Sequence, residues 1–164
     1  NGTTNFILKD MEDNGTTYLE SLKKAQTVGI DETNPSLDVE GWDTASKLLI
    51  LTNVLMDLDL TLDDIEVQGI TNITPEHIYK AKSENKKYKL IGRTTNKNGI
   101  ITSSVKLEKL SPDNSLYIVD GKNKAVRYSS DTLGDLTLIG GASGVRPAAA
   151  SILRDIINIE RKNI

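Results

Sequence analysis

Between Val39 and Asp57 the chain carries Leu48, Leu49, Ile50, Leu51, Val54, Leu55 and Met56, enough to cover nearly the whole circumference of a helix. A helix that is apolar on every side is ordinarily buried in a core rather than laid on a surface. This segment is therefore expected at the centre of the fold, with the other elements built around it. Upstream, Phe6, Ile7 and Met11 recur at near-helical spacing between Thr3 and Asp13. Tyr18, Leu19, Leu22, Ala25 and Val28 do the same, and Gly29 closes that second helix. Between them Asn14-Gly15-Thr16-Thr17 stops one helix and caps the next. Ile30 to Glu40 reads as a polar, acidic loop kept from being helical by Pro35, with Asp38 placed as an N-cap or first-turn acid of the central helix.

The pattern then changes. Leu58 to Ile73 is loop-like with a short turn at Thr61–Ile65, and Pro75 at the first helical position starts a short helix that runs to about Asn85. Tyr88–Arg93 reads as a strand, Asn98-Gly99 as a tight hairpin turn, and Ile100–Leu110 as its partner. Leu116–Val119 and Ala125–Tyr128 read as a second pair around Asp120-Gly121-Lys122-Asn123. A last strand, Leu136–Ile139, runs into Gly140-Gly141-Ala142-Ser143-Gly144, and Pro147 opens a closing helix to about Glu160. Helices first, then antiparallel strands, then a helix predict an α+β fold with helices packed on one face of a mainly antiparallel sheet.

Composition removes several function classes. The 164 residues hold 20 basic and 23 acidic side chains, a net charge of −3 with the signs interspersed, which is no footprint for nucleic acid. Cysteine is absent and His77 is the single histidine, so a thiol nucleophile, a thiolate metal site and a multi-histidine metal centre are excluded and no metal is expected. The longest apolar run, near Leu48–Leu51, is far too short to span a membrane, and no signal peptide opens the chain, so a cytoplasmic protein is expected. His77 is expected in solvent, and Trp42 in a core or interface. The chain starts at Asn1 without methionine and enters a helix at once, which reads as part of a longer protein.

Chemistry concentrates in Glu32, Asp38, Asp43 and Lys47. Asp43 and Lys47 are four apart, on one helix face, an arrangement that also serves as an ordinary surface ion pair. Beside an acidic loop, and one turn before the helix becomes apolar all round, the same charges are expected to be partly desolvated, and such charges tend to be paired or used. Three carboxylates around one ammonium make a pocket for an amine, and a desolvated lysine can hydrogen-bond a hydroxyl or carbonyl oxygen and move its proton. The glycine-rich turn Gly140–Gly144 allows close backbone approach by an anion, but a strand-to-helix turn needs glycine on conformational grounds alone.

These residues carry a resemblance. Asn1-Gly2-Thr3-Thr4-Asn5-Phe6-Ile7-Leu8, then Ala25-Gln26-x-x-Gly29, then Glu32-x-x-Pro35-x-x-Asp38-Val39-x-Gly41-x-Asp43-x-Ala45-x-Lys47-Leu48, and finally Gly140–Pro147 with Ala148–Ile156, resemble the homoserine dehydrogenase family. The resemblance implies that residues 1–164 form its substrate-binding and dimerisation domain, without the N-terminal dinucleotide-binding domain, and inactive alone. It implies an NAD- or NADP-dependent interconversion of L-homoserine and L-aspartate 4-semialdehyde by a homodimer. Lys47 would act on the C4 oxygen, with Asp43 hydrogen-bonding nearby. Glu32 would take the substrate ammonium, Asp38 would line the amino-acid pocket, and Gly2 and Thr3 would lie close to it. Gly144 and Ser143 would approach the cofactor. Ala142 and Ala148 depart from the family's usual glycine and threonine. An alternative from another class is a stand-alone amino-acid-binding or regulatory module that kept the pocket and lost the chemistry.

Overall fold

The computed structural model describes residues 1–29, 34–121, 123–141 and 144–162. Helix α1, Gly2–Asn14, starts where the Asn1 side chain accepts from the Thr4 amide, and stops where Gly15 takes the left-handed conformation at φ 67°. Its inner face buries Ile7, Leu8 and Met11. Helix α2, Tyr18–Thr27, opens on a reciprocal cap between Thr17 and Glu20. The two helices are tied by Asp10, whose carboxylate accepts from Thr16 (2.9 Å), Ser21 (2.7 Å), Asn14 (2.7 Å) and Lys24 (3.0 Å).

The Asp10 side chain is only 9 % exposed. Burial by itself pushes this carboxyl up; the hydrogen bonds from Ser21, Lys24, Thr16 and Asn14 overcome that and hold it at about 2. A carboxyl whose folded pKa is depressed adds stability above its ordinary value, roughly 4, and loses it as pH falls through the folded value. Asp10→Ala is thus expected to lower unfolding free energy at neutral pH by about 2 kcal/mol. It should also flatten the fall in stability between about pH 4 and 2. Urea titrations of both proteins across that range check this, and parallel pH profiles would contradict it.

The expected helix from Val39 to Asp57 is instead two elements. A single turn, α3 (Ser36–Val39), ends before Gly41, and α4 runs over Trp42–Met56. Gly41 sits at φ 95°, so the chain turns sharply there. Asp38 accordingly lies inside α3, and it is Gly41 that occupies the N-cap of α4.

After a 3₁₀ turn at Leu62–Asp64 comes a strand not anticipated from the sequence: β1, Ile65–Val67, which pairs in parallel with β3. Helix α5, Pro75–Ser83, is capped by Thr74, with exposed His77 accepting from the Thr74 amide through Nδ1. Strands β2, Lys87–Lys97, and β3, Ile100–Leu110, form an antiparallel hairpin around Asn98 (φ 55°) and Gly99 (φ 84°), which gives the sheet order β1-β3-β2. Even-numbered residues of β2 face the helices. Leu90 is in the core, Gly92 lies under Thr44 and Leu48 of α4, and Tyr88 meets His77 of α5. On the opposite face Lys89 reaches the Val119 carbonyl (2.6 Å) and Asp120, and Lys87 also holds Asp120 (2.9 Å). Helices therefore do pack on one face of a mainly antiparallel sheet, and a loop covers the other.

Two expectations are corrected here. Leu116–Val119 is not a strand but a run of turns, with the Tyr117 amide bonded to the Asn114 carbonyl and the Val119 amide to the Leu116 carbonyl. The partner of β4, Lys124–Ser130, is β5, Gly134–Gly140, in a separate two-stranded sheet. Helix α6, Val145–Lys162, begins two residues before Pro147 and buries none of its described residues.

The central expectation about α4 also changes. Only Ala45 and Thr52 are fully buried, whereas Ile50 is 64 % and Val54 75 % exposed. Its inner side rests on β2, where glycine at 92 lets the helix come close. The all-round apolar pattern arises because the outer side, with Ile50, Leu51, Val54 and Leu55, is a second apolar face open in the single chain.

Candidate functional site

The start of α1 meets the α3–α4 corner, and the predicted carboxylates gather there. The Asn1 side-chain amide donates to Asp38 Oδ1 (2.6 Å) and to Asp43 Oδ2 (3.2 Å). Its carbonyl oxygen meanwhile accepts from the Thr4 amide and hydroxyl, both at 2.9 Å. One side chain thus caps α1 and bridges two acids. Thr3 donates to Asp38 Oδ2 (2.9 Å), and Lys47 donates to both oxygens of Asp43 (2.8 and 2.6 Å).

Backbone geometry sets this corner. Gly41 turns the chain between Asp38 and Asp43 so that both carboxylates point at Asn1. The segment after β1 then grips the corner from outside: the Ile70 amide donates to the Val39 carbonyl at 2.8 Å. Gly69 packs so closely that a Cβ there would lie 2.1 Å from that carbonyl oxygen and 2.5 Å from the Glu40 Cα.

Asp43 is 29 % exposed and Lys47 59 %. The lysine is therefore more open than the sequence suggested, because it projects from the uncovered side of α4. Burial works to raise the Asp43 carboxyl, but the bonds and charge of Lys47 and the bond from Asn1 hold it below the usual carboxylate range. Chemically the cluster offers two anionic acceptors to an amine or hydroxyl, and one ammonium at its solvent edge.

The structure thus brings together Thr3, Asp38, Asp43 and Lys47, with Gly2 next to Thr3 as the first residue of α1. Glu32 and Ser143 lie outside the described residues. Gly144, at φ 118°, directly precedes α6, with open space where a Cβ would stand. Sequence reasoning missed Asn1 and Gly69. Asn1 had a signal, a capping residue three before Thr4; Gly69 had none, because its demand is for space against a distant segment. Among the described residues no group of three or more His, Cys, Asp or Glu is placed to hold a metal ion, and no helix is long and apolar enough to cross a membrane.

A family model for homoserine dehydrogenase matches residues 1–157. The chain belongs to the homoserine dehydrogenase family. Among relatives of this family, an NAD(+)-dependent homoserine dehydrogenase of Pseudomonas canavaninivorans is 39 % identical over 162 residues, covering 98 % of this chain and 46 % of its own length. The homoserine dehydrogenase of Methanocaldococcus jannaschii is 37 % identical over 159 residues, with 97 % and 46 % covered. The crystal structure of a homoserine dehydrogenase from Thiobacillus denitrificans superposes with a TM-score of 0.93 at 30 % identity, covering 98 % of this chain and 37 % of that one. The chain spans under half the length of the curated homoserine dehydrogenases it matches.

Proposed function

We propose that this chain is the substrate-binding part of a cytoplasmic homoserine dehydrogenase. The enzyme interconverts L-homoserine and L-aspartate 4-semialdehyde with NAD or NADP, on the route to threonine, methionine and isoleucine. The observation that carries this reading is the junction of Asp38, Asp43 and Lys47 on Asn1 and Thr3. It offers an amino acid two acidic acceptors and a hydroxyl or aldehyde oxygen one proton donor. Asp38 lines the amino-acid pocket and is oriented by two donors, so its lone pairs are already aimed. Glu32 is assigned to the substrate ammonium on the resemblance alone.

In the reductive direction Lys47 gives a proton to the C4 oxygen, and Asp43 fixes the lysine by a two-oxygen ion pair. In the oxidative direction the same group takes that proton back. The nicotinamide ring, when bound, supplies or accepts the hydride at C4. The described residues fit one edge of such a cofactor: Gly140 and Gly141, which carry no Cβ, stand at φ 157° and 106°, and Gly144 directly precedes an 18-residue helix. Most of the nucleotide contact would come from outside this chain. The alternative of a non-catalytic binding module is not favoured by the family match.

The enzyme would act as a homodimer, with the outer face of α4 as part of the covered surface. Ile50, Leu51, Val54 and Leu55 form an apolar patch of the kind that marks an interface. Val54→Asp in the full-length protein should shift the mass measured by light scattering from dimer to monomer and leave monomer stability within about 0.5 kcal/mol. A dimer unaffected by this change would place the interface elsewhere. The function itself is tested by adding L-homoserine and NAD or NADP to the full-length protein and following nicotinamide reduction; a wild-type protein that reduces neither overturns it.

A further inference from the structure

Strands β4 and β5 stand apart from the packing that holds the rest of the chain together. Among the described residues, the hydrophobic core is built between Phe6 and Leu107, with no side chain from β4, β5 or α6. Polar ties fix the β4–β5 hairpin to the body instead. The Asn5 side-chain amide, on α1, donates to the carbonyl of Asn123, the residue before β4, at 3.0 Å. The Ser115 hydroxyl meets the Thr137 hydroxyl of β5 at 2.8 Å. The chain leading into β4 is held under β2 by Asp120, on which Lys87 (2.9 Å) and Lys89 converge. The Lys89 side chain is only 6 % exposed, so this last tie is little screened by salt.

Of these ties, the one through Asn5 reaches the carboxylate corner. Asn5 lies one helical turn after Asn1, and its amide donates to the Asn1 carbonyl at 3.2 Å. The Asn1 side chain in turn holds Asp38 and Asp43. On the other side, Asn123 precedes Lys124, which pairs with Gly140 at the end of β5. A short path of bonded backbone therefore runs from the corner, through the first turn of α1, to the glycine turn. We propose that Asn5 is a positioning residue: its bond to the Asn123 carbonyl sets the separation between the amino-acid corner and the turn at Gly140 and Gly141. It thereby places the nucleotide against C4 of the amino acid without touching either reactant. This rests on the dehydrogenase reading given above, in which that turn borders the nucleotide. The demand for such a tie is physical. A hairpin without core packing depends on its few polar bonds, and a misplacement of about 1 Å at a reacting centre can cost on the order of a hundredfold in rate.

The test is steady-state kinetics of the full-length protein as wild type, Asn5→Ala and Asn5→Asp, with L-homoserine and the nucleotide, NAD or NADP, varied in turn. Asn5→Ala is expected to raise the nucleotide KM about three- to tenfold, the scale of one hydrogen bond, and to leave the L-homoserine KM within about twofold. Asn5→Asp keeps the shape of the side chain but replaces its donor by an anion facing a carbonyl, so its nucleotide KM should rise at least as far. Thermal unfolding of all three should give the same midpoint. A purely structural part for Asn5 would instead lower that midpoint or raise both KM values together. Either result, or a nucleotide KM equal to wild type in both variants, overturns the inference while wild-type activity keeps the dehydrogenase reading. If wild type reduces neither nucleotide, the reading and the inference fall together.

Discussion

Gly69→Ala is expected to destabilise the protein by more than about 4 kcal/mol, the range reached when a change cannot be absorbed locally. The added carbon would lie 2.1 Å from the Val39 carbonyl oxygen and under 3 Å from two backbone atoms of Glu40. Backbone on both sides leaves no side chain to swing away. The Ile70-to-Val39 hydrogen bond and the buried positions of Ile70 and Val39 would be lost together with the close approach. In a domain of this length such a loss corresponds to a fall in melting temperature of roughly 8–16 °C. Because the same contact fixes the residues just after Asp38, any folded Gly69→Ala protein should also bind amino acid poorly. Thermal unfolding decides the point, and a fall under about 1 kcal/mol would show that the corner can move.

Lys47→Ala in the full-length enzyme is expected to cut turnover by roughly two orders of magnitude or more, the scale of a positioned proton donor. Stability should hardly change. Lys47 is 59 % exposed and its pair with Asp43 is a helix i,i+4 contact, worth a few tenths of a kcal/mol when solvated. That contrast separates a catalytic from a structural role. Lys47→Arg keeps a cation, but a guanidinium does not give up its proton and its fork differs in shape from an ammonium, so it should leave turnover low. Steady-state kinetics beside urea unfolding would check both halves, and unchanged turnover in Lys47→Ala removes this lysine from the mechanism.

How much of this was legible in the sequence depended on the range of the interactions. The caps at Asn14-Gly15 and Thr74-Pro75 and the Asn98-Gly99 hairpin are local and were read correctly. The spacing of Asp38, Asp43 and Lys47 also pointed to one cluster. The β1 strand was missed because three residues, Ile65–Val67, are too few to show a period, and it forms only by parallel pairing with β3, some forty residues away. Leu116–Val119 has strand composition, but the Lys89–Asp120 tie and local turns decide its shape. The helix across Val39–Asp57 failed at Gly41, where a left-handed turn against Val67 and Val105 overrides helical periodicity. The outer face of α4 misled in a different way. Apolar residues signal burial without saying whether the cover comes from the same chain.

In the proposed mechanism the corner built on Asn1 receives the amino acid. The most direct measurement is a crystal structure of the full-length protein with L-homoserine. The C4 hydroxyl is expected within hydrogen-bond reach of Lys47 Nζ, with Asp38 and Asp43 lining the same pocket. L-homoserine bound elsewhere, with Asp38, Asp43 and Lys47 untouched, would contradict it.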